Sequence, residues 1–453
     1  MLLTAESFTF VQRRGMIISG RKSFCKGYDD MVEYASESSG MGFINSFTHS
    51  GKPVKDLGRI RRLLNAVDDP QDSLKFVHIA GTNGKGSIAE MFSRIFIESG
   101  LKTGCFTSPF IIRYNDRIRI DGEDIPDDEL AQIADKVREA VEGLTDCGDF
   151  SQFEITQAIA FLYFAKEKCD IVVLETGLGG LLDCTNVIES PLLTVIATID
   201  LDHTAILGDT IAQIAAQKAG IIKQGVPCVL SAENQEDAVK VVRAAAQEKG
   251  SRLIIPEIDS VSVDKLDCFG AQFGYKGVDY ALSMGGAHQI INALSVIEGC
   301  GLLKGELGLT DESIASGIEK AVLPARVEIL CRDPLTILDG AHNPDGLGAL
   351  ARVLEGCEMR CFAIIGMCRD KNIDEAVSRL IPYVERFYTV DGFSDRALDR
   401  SELADKIIAL GGNAQPCGMP ISLQIKALQK THPNDLTLIC GSLYLAAQVK
   451  AEI

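Results

Sequence analysis

Between Phe76 and Ser87 the chain reads Phe-Val-His-Ile-Ala-Gly-Thr-Asn-Gly-Lys-Gly-Ser. An apolar strand runs into a glycine-rich turn, and helix-forming residues from Ile88 to Ile97 follow. A turn of this kind lets backbone N–H groups and a helix N-terminus face a polyphosphate, while Lys85 reaches the outer phosphates. It departs from the common GxxxxGK[ST] form, because Ile79 occupies the first glycine position, Gly86 follows the lysine and Ser87 supplies the hydroxyl one place later. The bland alternative is a glycine-rich strand–helix turn with no ligand. The loop implies nucleotide binding without naming a reaction.

At 453 residues the chain is too long for one comfortable core, so two or three domains are expected. Its formal charge is -18, from 45 basic against 63 acidic residues. That balance argues against a protein that coats nucleic acid or binds anionic membranes, so any anion must be held by a local site. Fourteen cysteines are scattered without a CxxC pair, many within apolar runs such as those at Cys105, Cys228, Cys361 and Cys440. Buried thiols in a reducing cytoplasm account for this better than disulfides or zinc.

Short apolar strands alternate with amphipathic helices almost throughout, the pattern of βαβ units around parallel sheets. Strands are expected at Lys75–Ala80, Thr103–Thr107, Asp170–Glu175, Leu192–Thr198, Val226–Leu230 and Arg252–Ile255. Asp116–Ile125 alternates around Asp-Gly and reads as a hairpin. Glu257–Ser283 suggests a small antiparallel sheet, and a helix over Ala287–Glu298 closes the first domain. The βα pattern restarts after Leu323-Pro324. The expected fold class is α/β, with an appendage at 1–27, a large P-loop-type mononucleotide-binding domain at 28–322 and a hinge at 323–325. A smaller Rossmann-like doubly wound domain fills 326–453.

Asp170–Glu175 places a carboxylate at the end of a buried strand, beside the phosphate loop in an open α/β sheet. Glu175 there suits Mg²⁺, which takes hard oxygen ligands, although an acid at a strand end is often merely solvated. His203, in Leu201-Asp202-His203, gains a metal role only if it shares a site with Glu175, as adjacent parallel strands would permit. Lys218 reads as an ordinary surface lysine on a helix. In Thr336–Pro344, Asp339 suits ribose hydroxyls and His342 suits a base or phosphate, but Asn343 could simply cap the next helix. Arg326, just past the break, is placed to reach a γ-phosphate from the hinge.

These segments, in order along the chain, resemble the folylpolyglutamate synthase/dihydrofolate synthase family of Mur-ligase-like ATP-dependent amide ligases. The matching stretches are HIAGTNGKGS, Thr107–Pro109, Phe153–Phe161, Glu175–Asn186, LDH, QKAGIIK, His288–Leu294, Pro324–Glu328 and DGAHNP. The resemblance runs from about Tyr28 to the end of the chain.

By that resemblance, ATP is held by Gly81, Thr82, Asn83, Gly84, Lys85, Gly86 and Ser87, with Asn292, Arg326, Asp339 and His342 joining from later segments. Ser108 and Glu175 bind one Mg²⁺. Glu175 and His203 serve a second, with Lys218 carbamylated into a metal ligand. Lys85, Lys218, His203 and Arg326 carry the catalysis, and Phe153 and Glu154 border the pterin-bearing substrate. Implied further are a monovalent cation, folate or dihydropteroate and L-glutamate as substrates, a monomer, and no nucleic-acid or membrane partner. Leu181, Cys184, Phe110 and Gln217 depart from the family's usual residues without removing a phosphate or metal ligand. A muramyl-type peptide ligase and a P-loop NTPase switch are the rival readings. The first needs a separate domain before the phosphate loop, and the second has no use for His203, Lys218 or DGAHNP.

Overall fold

The computed structural model describes residues 40–47, 56–145 and 150–453, so the expected appendage at 1–27 lies outside the described residues. The first sheet is built from β1 (Phe76–Ala80), β2 (Thr103–Phe106), β3 (Ile118–Ile120), β4 (Glu123–Asp124), β5 (Ile171–Glu175), β6 (Leu193–Ile196), β7 (Cys228–Leu230) and β8 (Leu253–Ile254). Its order is β4-β3-β2-β5-β1-β6-β7-β8. All strands from β2 through β8 in that order run parallel, and the β3–β4 hairpin adds antiparallel to β2. Every residue of β1, β5 and β6 is buried, which explains why their sequences are mainly apolar, with one polar residue each in His78, Glu175 and Thr194.

Helix Lys85–Glu98 covers one face of this sheet with Ile88, Met91, Phe92, Ile95 and Phe96, backed by helix Ala287–Leu307. Truncating the fully buried Phe92 to Ala would cost about 3–5 kcal/mol. Helices Asp127–Gly143 and Gln152–Lys166 cover the other face. The hairpin turns at Asp121 and Gly122, both with positive φ, as an Asp-Gly turn of the primed type requires. The small antiparallel sheet is present as β9 (Ser262–Asp267), β10 (Gly270–Tyr275) and β11 (Val278–Leu282). The helix expected to end at Glu298 continues to Leu307, and a further helix, Asp311–Lys320, follows it.

The second sheet comprises β12 (Glu328–Arg332), β13 (Leu335–Leu338), β14 (Cys361–Ile365), β15 (Arg386–Thr389), β16 (Ala414–Pro416) and β17 (Leu436–Cys440), ordered β12-β13-β17-β14-β15-β16. Separate apolar clusters lie on its two faces, so this domain is doubly wound. Among the described residues no helix is long and apolar enough to cross a membrane. The twelve described cysteines are free thiols, ten of them buried.

Candidate active site

The phosphate loop leaves β1 at its carboxyl end and enters helix Lys85–Glu98 through Gly84, which has φ +85°. A Cβ at Gly84 would also come within 2.5 Å of Asn292 Oδ1, so glycine there lets the loop lie directly against the later helix. In register, Glu175 pairs with Ile79, which sets its carboxylate level with the start of the loop. Lys85 Nζ lies 3.8 Å from Glu175 Oε1, and the Ser108 N–H donates to Glu175 Oε2 at 3.2 Å. Burial raises the pKa of Glu175, while Lys85, the Ser108 N–H and Arg326 oppose that shift.

Glu175 and His203 do not come from adjacent strands. β1 runs between β5, which ends in Glu175, and β6, which leads to His203. The two residues therefore stand on opposite flanks of the phosphate loop, although both line the same cleft. Strand order is decided by tertiary packing, which no local pattern encodes.

That cleft, of about 230 Å³, lies between the two sheet-bearing domains. The first domain contributes Gly81 through Ser87, Ser108, Glu175, His203, Lys218 and Asn292, and the second contributes Arg326, Asp339 and His342. Lys218 is not a surface lysine. It is buried, donates from Nζ to the Gly81 carbonyl at 2.7 Å, and has its pKa brought down to about 7 by burial and by the charge of Lys85.

On the second domain, the buried Asp339 carboxylate accepts the Val327 N–H at 2.8 Å and the Ala341 N–H at 2.7 Å. It thereby ties the Arg326 turn to the turn bearing His342. Burial raises the Asp339 pKa, and Arg326 opposes the shift. His342 pairs through Nδ1 with the Gly340 carbonyl at 2.9 Å, and burial lowers its pKa to about 4. It is therefore neutral at ordinary pH, with Nδ1–H donating and Nε2 left as an acceptor. Asn343 does cap helix Pro344–Glu355, accepting the Gly346 N–H at 2.8 Å, and its Nδ2 also donates to Asn83 Oδ1 at 3.1 Å.

Phe153 and Glu154 are not brought into the cleft. Phe153 packs behind it, where a Cβ at Gly177 would meet the ring at 2.4 Å. Glu154 is a buried capping-box acid, accepting from Ser151 N–H at 2.8 Å and from Arg59 Nε at 2.8 Å. Its oxygens serve the helix start and a buried ion pair.

Sequence reasoning overlooked Asp202, Asp345 and His288, all of which line the cleft, and Lys371, which reaches Asp202 from the second domain. Burial works against the Asp202 carboxylate, yet the Lys371 and His203 charges hold its pKa down at about 2. The signal available for Lys371 was its place just past the carboxyl end of an apolar strand, β14.

The donor set suits Mg²⁺. Glu175 and Ser108 offer hard oxygens beside the phosphate loop, which fits one cation. Among the described residues no three or more His, Cys, Asp or Glu side chains gather as a metal centre, so such an ion would complete its shell with phosphate and water oxygens.

Residues 325–443 match the Mur ligase glutamate ligase domain. Over 417 residues the chain is 35% identical to the dihydrofolate synthase/folylpolyglutamate synthase of Bacillus subtilis (strain 168), spanning 88% of this chain and 94% of that one. The folylpolyglutamate synthase of Thermotoga maritima superposes with TM-score 0.78 at 33% identity, over 91% of this chain and 95% of the other. An FPGS–AMPPCP–folate complex superposes with TM-score 0.78 at 32% identity, over 91% and 98% of the two chains. The chain belongs to the folylpolyglutamate synthase/dihydrofolate synthase family of Mur-type ligases.

Proposed function

We propose that this protein is an ATP-dependent ligase that joins the carboxylate of a folate or dihydropteroate to the amine of L-glutamate. One observation carries the reading: the phosphate loop and Glu175 of the first domain face Arg326, Asp339 and His342 of the second across a single cleft. A likeness to a complex holding AMPPCP and folate supports the same assignment.

A carboxylate is a poor electrophile. Its oxygen attacks the γ-phosphorus of ATP, ADP leaves, and an acyl phosphate results. The glutamate amine then adds to the carbonyl carbon, a proton is lost, and phosphate departs from the tetrahedral intermediate. Lys85, Arg326 and the N–H groups at the start of helix Lys85–Glu98 offset charge on the migrating phosphoryl group and on the oxyanion. Ser108 and Glu175 would hold Mg²⁺, which when bound supplies further charge neutralisation at the phosphates. Lys218, with a pKa of about 7, offers the neutral amine that carbon dioxide needs to form a carbamate. The carbamate would stand beside His203 as a ligand for a second cation. Closure about residues 323–325 excludes water from the acyl phosphate.

A substrate panel tests this. Dihydropteroate, tetrahydrofolate and its mono- and diglutamates are each supplied with ATP and Mg²⁺, with and without L-glutamate, beside reactions that omit the acid. ADP release that requires both an acid and glutamate is expected; equal release without the acid would reduce the protein to a nucleotide hydrolase.

A further inference from the structure

Two cations of the second domain address the two flanks of the phosphate loop. Arg326 acts on Glu175 at the end of β5, whereas Lys371 reaches the turn that follows β6. Lys371 lies in a fixed loop beyond β14, where its N–H donates to the Cys368 carbonyl at 3.3 Å and the Ile373 N–H donates to its own carbonyl at 2.9 Å. Its ammonium donates to Asp202 Oδ1 at 3.1 Å, and the two side chains are only 13% and 16% exposed.

The Asp202 oxygen that Lys371 grips also accepts the His203 N–H, at 2.9 Å. His203 needs that hold because it sits at φ +51°, a left-handed conformation that few residues other than glycine adopt unaided. The same turn is bound to the phosphate loop. Thr82 N–H donates to the Thr198 carbonyl at 2.7 Å, and Asp200 N–H donates to Thr82 Oγ1 at 3.0 Å. A side chain from the second domain therefore secures a turn shared by His203 and the phosphate loop.

We infer that Lys371 is a positioning residue for the ligase reaction: through Asp202 it fixes the turn that presents His203 to the cleft, and it does so only when the domains are closed. The inference rests on the ligase reading above. Lys371 does not line the cleft, so its effect is expected on turnover more than on nucleotide affinity.

The test compares Lys371→Gln, Lys371→Arg, Asp202→Asn and the Lys371→Gln/Asp202→Asn double variant with wild type. In Lys371→Gln, kcat should fall about 30-fold while the Kd for a non-hydrolysable ATP analogue moves less than about 3-fold. Lys371→Arg, which keeps the charge, should recover most of that loss. The double variant should be no worse than the poorer single, because both break one contact. Independently of activity, amide hydrogen exchange in the analogue-bound Lys371→Gln protein should quicken at 200–207 and stay unchanged in helix Lys85–Glu98. An unchanged kcat, a Kd loss equal to the kcat loss, additive single effects, or unaltered exchange at 200–207 would overturn the inference. Wild-type ADP release that ignores the acid would instead overturn the ligase reading and leave the exchange result to judge Lys371.

Discussion

Asn83, in the phosphate loop, donates from Nδ2 to Asp345 Oδ2 at 2.7 Å, a contact spanning 262 positions of sequence and both domains. Asn343 returns a hydrogen bond to the other end of the same carboxamide at 3.1 Å. The loop that would hold the phosphates is thus also a rung of the domain interface. A hydrogen bond to a charged group contributes about 1.5–3 kcal/mol, so Asn83→Ala should lower kcat/KM for ATP by roughly tenfold or more. Steady-state kinetics checks this, and an unchanged kcat/KM would separate the loop from the interface.

Lys85 lies 3.8 Å from Glu175 and donates to the Thr82 carbonyl at 3.3 Å. Lys85→Ala is expected to abolish ADP release, and Glu175→Gln, which keeps the shape but not the charge, to lower kcat by about 10²–10³. Circular dichroism should stay native for both. A Lys85→Ala rate equal to wild type would remove the loop from the mechanism.

The pH behaviour of Lys218 follows from its pKa of about 7, set by burial and then by Lys85. The amine is mainly neutral above that pH and mainly protonated below it, and only the neutral form takes up carbon dioxide. Enzyme stripped of carbon dioxide should lose activity and regain it when dissolved carbon dioxide is restored, and at one fixed carbon dioxide concentration faster at pH 8 than at pH 6. Lys218→Met should be inactive and indifferent to carbon dioxide. Recovery at the same rate at both values would contradict the carbamate.

Acid stability depends on His78, in the middle of β1. Burial, then the charge of Lys223, lowers its pKa to about 3, while its Nε2 pairs with Thr185 Oγ1 at 2.9 Å. The unfolded chain binds this proton below about pH 6.5 and the folded chain does not, so stability falls as pH drops from 6.5 toward 3. The loss is about 1.4 kcal/mol per pH unit. Buried carboxylates such as Glu175, Asp183 and Asp339, whose pKa values burial raises, act in the opposite sense. The informative quantity is therefore the difference between wild type and His78→Gln. Urea midpoints measured at pH 7.5 and 5 should fall more steeply for wild type, and parallel curves would rule out the buried neutral imidazole.

The parallel strands were legible because burial on both faces makes β1, β5 and β6 mainly apolar, and the Asp121-Gly122 turn announced its hairpin. β12 escaped notice because Glu328–Arg332 mixes charged and apolar residues at a sheet edge. β16 did so because Ala-Gln-Pro has none of the branched or aromatic residues that mark strands. At the site, the phosphate loop spoke through its own residues. Lys218 looked like a solvated lysine, since its burial depends on the Gly81 carbonyl 137 positions away. The flanking of β1 by Glu175 and His203, and the Asp202–Lys371 pair across 169 positions, exist only in three dimensions.

Oxygen-18 tracing is the sharpest test of acid activation by phosphoryl transfer. With the substrate's reacting carboxylate labelled, phosphate released during amide formation should carry a labelled oxygen, because the carboxylate oxygen that attacked phosphorus leaves with it. Amide formed with wholly unlabelled phosphate would mean that no acyl phosphate lay between ATP and the product.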